Sequence, residues 1–198
     1  MSESVFLTAA IAVAKPRLRA YLRAPVKPAS GWSQQQWAGI TVAGRDDDER
    51  QQHREELPAA IDECDQWIDG DYATVFRDLA HDDELMFRFD EATGSLAIDF
   101  SVRVDFRLPT LVWAFAVLRG IAEFMTDGDN GTLTVTADGN EDRILMHLTP
   151  KHTAFLDGNR DVRARAEAAD WEIDIRSAAC DAYQPDSAAE TIDWLVND

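Results

Sequence analysis

The chain is poor in the residues that usually announce chemistry. It has two cysteines, Cys64 and Cys180, with no CxxC pair and no zinc-ligand spacing. That excludes a disulfide framework and points to a reducing compartment. Its four histidines, His53, His81, His147 and His152, match neither HExxH nor HxH. No GxGxxG, Walker loop or GxSxG elbow is present, so phosphate-cradling loops and the nucleophile elbow are not expected. Long apolar runs are missing as well. Residues 5–14 form an apolar stretch, but Glu3 precedes it and the positive residues follow it, the reverse of a secretory signal. At about ten residues it falls short of the ~20 needed to span a bilayer, and Arg119 ends the run from Leu111 to Leu118. These features predict a soluble cytoplasmic protein that does not associate with membranes.

Positive charge is also scarce, whereas acid is abundant. Against 37 Asp and Glu stand 19 Lys and Arg, for a net charge of -18. A surface of that sign repels phosphate backbones, so no nucleic acid partner is expected, and a basic protein partner fits better. The same acidity also suits a chain adapted to a salty cytoplasm. The charge is uneven: the first 27 residues carry Lys15, Arg17, Arg19, Arg23 and Lys27 against Glu3, a local +4 that leaves -22 on the rest. Docking of this basic segment on the protein's own acidic body is expected ahead of an anionic membrane. With 198 residues and 45% hydrophobic content, including six Trp and nine Phe, the chain has enough apolar side chain for one folded domain.

The clearest periodicity lies between Leu85 and Thr149. Residues 85–90, the turn 91–94 and residues 96–104 read as a hairpin, with Leu96, Ile98, Phe100, Val102 and Val104 alternating with Ala97, Asp99, Ser101 and Arg103. After Pro109 the period lengthens to 3.6, and Leu111, Phe115, Leu118, Ala122 and Met125 share one helical stripe that Gly128 would stop. Residues 132–137 and 143–148 read as two more strands, so this block is ββαββ. Residues 1–84 read as mainly helical. The run 5–13 favours a helix over a buried strand, and residues 37–42 read as a short strand. Asp46 to Glu49 start a solvated helix, Leu57 to Ile68 form a stripe with Pro58 in its first turn, and Asp71 caps a further helix. Beyond Pro150, residues 161–168 suit either an edge strand or a helix. Trp171, Ile173 and Ile175 alternate as a fifth strand, and residues 187–196 form a closing helix with Ile192 and Leu195 inward. The expected fold is α+β: an antiparallel sheet of about five strands with a helix on one face and an N-terminal helical region.

The candidate sites resolve mostly into structure. Asp127 to Gly131 fails as a calcium loop, because an EF-hand register puts Gly131 at a ligand position and Thr132 at the turn glycine. His81, Asp82 and Asp83 read as a helix-end loop rather than a metal site. His147 reads as a partly buried structural residue, and Cys64 as a small core residue. No catalytic residue, metal or cofactor is therefore expected. The expected function is that of a non-enzymatic acidic binding protein that neutralises a basic protein, such as an immunity protein or toxin inhibitor. Its partner-binding residues are Trp32, Trp37, Asp46, Asp47, Asp48 and Glu49, with Asp99 and Arg103 on the polar face of the sheet. Competing readings are a small-molecule-binding domain or enzyme with a pocket between sheet and helices, and an adaptor protein from a halophile.

Overall fold

In the computed structural model the apolar N-terminal run is the middle of a sheet. The structure describes residues 5–43, 47–81, 85–102, 108–137, 144–157, 160–181 and 188–197. In chain order these form β1 (Val5–Ala12), α1 (Lys15–Leu22), α2 (Gln34–Trp37), α3 (Asp47–Trp67), α4 (Tyr72–His81), β2 (Leu85–Asp90), β3 (Ser95–Val102) and α5 (Leu108–Arg119). There follow β4 (Asn130–Ala137), β5 (Ile144–Thr149), β6 (His152–Phe155), α6 (Val162–Asp181) and α7 (Ala188–Asn197). The fold is α+β, and the described strands make one antiparallel sheet in the order β2-β3-β1-β4-β5-β6.

Residues 5–13 are therefore not helical. β1 pairs with β3 on one side (Leu7 opposite Phe100) and β4 on the other (Leu7 opposite Val135), joining two hairpins that are not neighbours in the sheet. A strand covered on both faces loses its alternation and reads as a continuous apolar run, which is why its periodicity misleads. Pro16 instead opens α1, where its missing N–H costs nothing.

Both hairpins follow the expected pattern. Gly94 takes φ 68° in the β2–β3 turn, donates to the Asp90 carbonyl at 2.8 Å, and accepts from the Val13 amide at 2.8 Å. Leu7, Ala9 and Ile11 of β1 face the same way as Leu96, Ile98, Leu133, Met146 and Leu148, and all are buried. α5 lies in the core that this face shares, and α3 packs on α5 in turn. A helix with protein on several sides must be apolar nearly all round, as Leu111, Val112, Phe115, Ala116 and Leu118 are.

Four further expectations change. Residues 38–43 form a 3-10 turn rather than a strand. It follows α2, which starts at a capping box in which Ser33 and Gln36 satisfy each other's backbone amides. α3 runs unbroken from Asp47 through Pro58; the Arg54 carbonyl deprived of a donor lies on the exposed side, where water can take it. α5 ends at Arg119 and passes into a 3-10 turn at Gly120–Phe124, well before Gly128. Residues 171–176 belong to α6: Ala168, Glu172 and Ile175 are its buried side, a helical i, i+4, i+7 spacing that the alternating apolar residues mask. The sheet gains β1 and β6 and loses that segment, giving six described strands.

α6 crosses the second face of the sheet, packing on β1, β2 and β3. This face is not left to water. Its small apolar patch joins Ala10, Ala97 and Ile175, with Met86 and Trp171 at the margin.

Candidate functional site

The basic N-terminal segment is tied to the acidic body, side chain by side chain. Lys15 pairs with Glu91 at 3.5 Å, Arg17 with Asp129 at 2.7 Å, and Lys27 with Glu123 at 2.6 Å. Arg19 and Arg23 donate to the carbonyls of Leu195 and Val196 at the end of α7, the negative end of that helix dipole. Asp129 is thus spoken for twice, since its other oxygen accepts the Thr126 amide at 2.8 Å. Three of the five bases are thus neutralised by acids of the chain and the other two are held by helix-end carbonyls.

Much of the excess acid lies on α3. Its buried stripe is Leu57, Ala60, Ile61 and Cys64, so the opposite side faces solvent. Asp47, whose side chain is 99% exposed, pairs with Arg50 at 3.6 Å. Asp48, Glu55, Glu56 and Asp62 are exposed and carry no ion pair among the described residues; Glu55 and Glu56 accept only from Gln51 and Gln52, one turn earlier. Glu49 lies in the same helix, and Asp46 lies outside the described residues. Cys64 sits in the core, where burial, and then the nearby Asp65, push its thiol up to about 12, too high to yield a nucleophilic thiolate.

The tryptophans assigned to a partner surface are inside. Trp32 is 7% exposed and Trp37 fully buried. Their rings meet edge to face, 5.9 Å apart at 85°, and the Arg119 guanidinium lies 4.7 Å from each ring centroid. Two perpendicular rings equidistant from one cation make a corner rather than parallel plates. Arg119 reaches that corner from the last turn of α5 and is itself 1% exposed. Its Nε and Nη2 donate to Oγ1 of Thr153 on β6, the former at 3.1 Å. Desolvation lowers its pKa to about 10, which leaves it protonated at neutral pH. In the sequence its only signal was a lone arginine ending an apolar helical run.

Asp99 lies half-buried on the second sheet face, opposite Thr8, while Arg103 lies outside the described residues. Thr8 and Thr134, neighbours across β1 and β4, donate to the two oxygens of the buried Glu172 carboxylate at 2.7 Å each. Further along this face, Nε2 of His147 lies 2.6 Å from Oδ1 of Asn130. Burial, and then the neighbouring His152, lower the His147 pKa. Among the described residues no three His, Cys, Asp or Glu side chains converge as a metal site, and no helix is long and apolar enough to cross a membrane. Compared with known proteins, the chain matches no family model, no curated protein and no solved structure.

Proposed function

We propose that the protein is a non-enzymatic acidic binding protein whose exposed α3 surface receives a basic protein partner, as an immunity protein or toxin inhibitor does in the cytoplasm. The observation that supports this reading is an asymmetry of pairing. The N-terminal bases are consumed by contacts within the chain, whereas Asp48, Glu55, Glu56 and Asp62 face solvent without a described cation. A fixed helical row of carboxylates steers a cationic partner and sets its register, and its contribution falls as salt rises. Asp46 and Glu49 extend the same acidic row in sequence. Trp32 and Trp37, buried against Arg119, are not part of the proposed surface.

The test is co-expression with the product of the adjacent reading frame, followed by titration of the purified pair. Replacing Asp48, Glu55, Glu56 and Asp62 by Ser should weaken binding at least about tenfold at low salt while the melting temperature holds. Equal affinity for wild type and variant would remove the reading. A salt titration of folding separates acidity as salt adaptation: a chain adapted in that way requires high salt to melt cooperatively, whereas a partner-binding surface leaves it folded in dilute buffer.

A further inference from the structure

Arg119 is a buried cation that pairs with no carboxylate among the described residues. Nε and Nη2 share one neutral acceptor, Thr153 Oγ1, while Nη1 is buried with no hydrogen-bond partner. The two indoles attract the charge through their ring faces, and the C-terminal end of α5 adds a favourable dipole. Neither supplies a hydrogen-bond acceptor to Nη1. A buried charged donor left unmade is costly, and an anion is the group that removes that cost most completely.

The charge of Arg119 itself favours an anion over a neutral group. Lys27 Nζ also lies 4.7 Å from the Trp32 ring that Arg119 approaches, but it is already paired with Glu123 at 2.6 Å, so the unmatched charge is that of Arg119. Trp32 follows the short turn Ala29–Gly31, and of the two tryptophans it is the one with solvent exposure, 7% against none. Trp37 is fixed more deeply, its Nε1 donating to the Ala29 carbonyl at 3.0 Å. An opening of the corner therefore falls to Trp32. Its displacement uncovers the guanidinium that its ring packs against, where Nη1 has no described partner.

We propose that Arg119 is the anchor of a small-anion site closed by Trp32, which takes a single carboxylate or phosphate group. This site is separate from the acidic α3 surface and does not depend on it.

The test uses the full chain with two probes, sodium acetate and inorganic phosphate, at ionic strength held constant with sodium chloride. Binding should give a saturable change in tryptophan fluorescence and a melting temperature that rises with probe concentration. Acetate alone, phosphate alone or both acting identifies the oxyanion accepted. The Arg119 side-chain nitrogen signals in the NMR spectrum of the wild-type protein should shift along the same titration curve. In Arg119→Met the response should be lost, and in Arg119→Lys, which keeps the charge without the planar fork, the apparent affinity should fall at least about tenfold. No saturable response to either probe would overturn the proposal, as would an equal response in Arg119→Met. If the substitutions prevent folding, the wild-type NMR titration decides, and unmoved Arg119 signals overturn it.

Discussion

Glu172 of α6 and Thr8 of β1 are joined by a hydrogen bond of 2.7 Å from the threonine hydroxyl to the carboxylate, although 164 positions separate them. Thr134 of β4 donates to the other oxygen at the same distance. One carboxylate thus ties a late helix to the two middle strands, on a face where the apolar contacts are mainly alanines and Ile175. Hydrogen bonds to charged groups contribute about 1.5–3 kcal/mol, and a bare hydroxyl left buried adds to the loss. Glu172→Ala should therefore lower the unfolding free energy by about 2 kcal/mol and speed amide exchange in α6 more than in β4. Glu172→Gln, which keeps acceptor oxygen and shape, should lose less. Unchanged exchange in α6 after Glu172→Ala would assign its docking to the Ile175 cluster alone.

β1 sits between two hairpins that have no other edge in common. A chain starting at residue 14 should lack cooperative unfolding and show a reduced strand signal in circular dichroism, because each hairpin then presents an unpaired inner edge. Supplying residues 1–13 as a separate peptide should restore part of that signal. A cooperative transition in the truncated chain without the peptide would show that the sheet closes without β1.

These two contacts also mark where the sequence was legible. The hairpins put small or polar residues such as Ala97, Asp99, Thr132 and Thr134 on the second face, so their alternation survives although much of that face is buried, and Leu96, Ile98 and Phe100 lie inward. The same rule fails for β1, where both faces are covered and apolar residues such as Ala9, Ala10 and Ile11 follow one another. It fails again for α6, where Trp171, Ile173 and Ile175 mimic a strand. There the buried acid Glu172 breaks the apolar helical stripe, and its role depends on Thr8 and Thr134, which no local window contains. The site at Arg119 is opaque for the same reason: Trp32 and Trp37 come to it from one stretch and Thr153 from another, both far from it in the sequence.

Gly120 follows Arg119 at the point where α5 tightens into a 3-10 turn. A Cβ there would overlap the hydroxyl of Tyr72, which is fully packed against Tyr21 at a ring separation of 4.2 Å and accepts the Lys27 amide at 3.1 Å. Overpacking of this kind costs about 1–3 kcal/mol, so Gly120→Ala should unfold at lower denaturant with an unchanged m-value. Tyr72→Phe removes the nearest atom but leaves a ring carbon within 2.6 Å of the added methyl, so the double variant should recover only part of the loss. Strict additivity of the two single changes would place the cost elsewhere.

His147 gives the fold a pH dependence of defined sign. Its pKa is lowered in the folded protein by burial first and by His152 second, with Asn130 Oδ1 against its Nε2. The unfolded chain therefore takes up a proton near pH 6.5, where the folded one does not yet. Stability is unaffected by this residue at higher pH, then falls as pH drops through the unfolded value and continues to fall until the folded form protonates too. His147→Gln retains a donor for Asn130 without a titratable ring. Its melting temperature should decline less than that of the wild type between roughly pH 7.5 and 5. Parallel curves for the two proteins across that range would exclude His147 as the source, leaving acid sensitivity to the carboxylates that titrate lower.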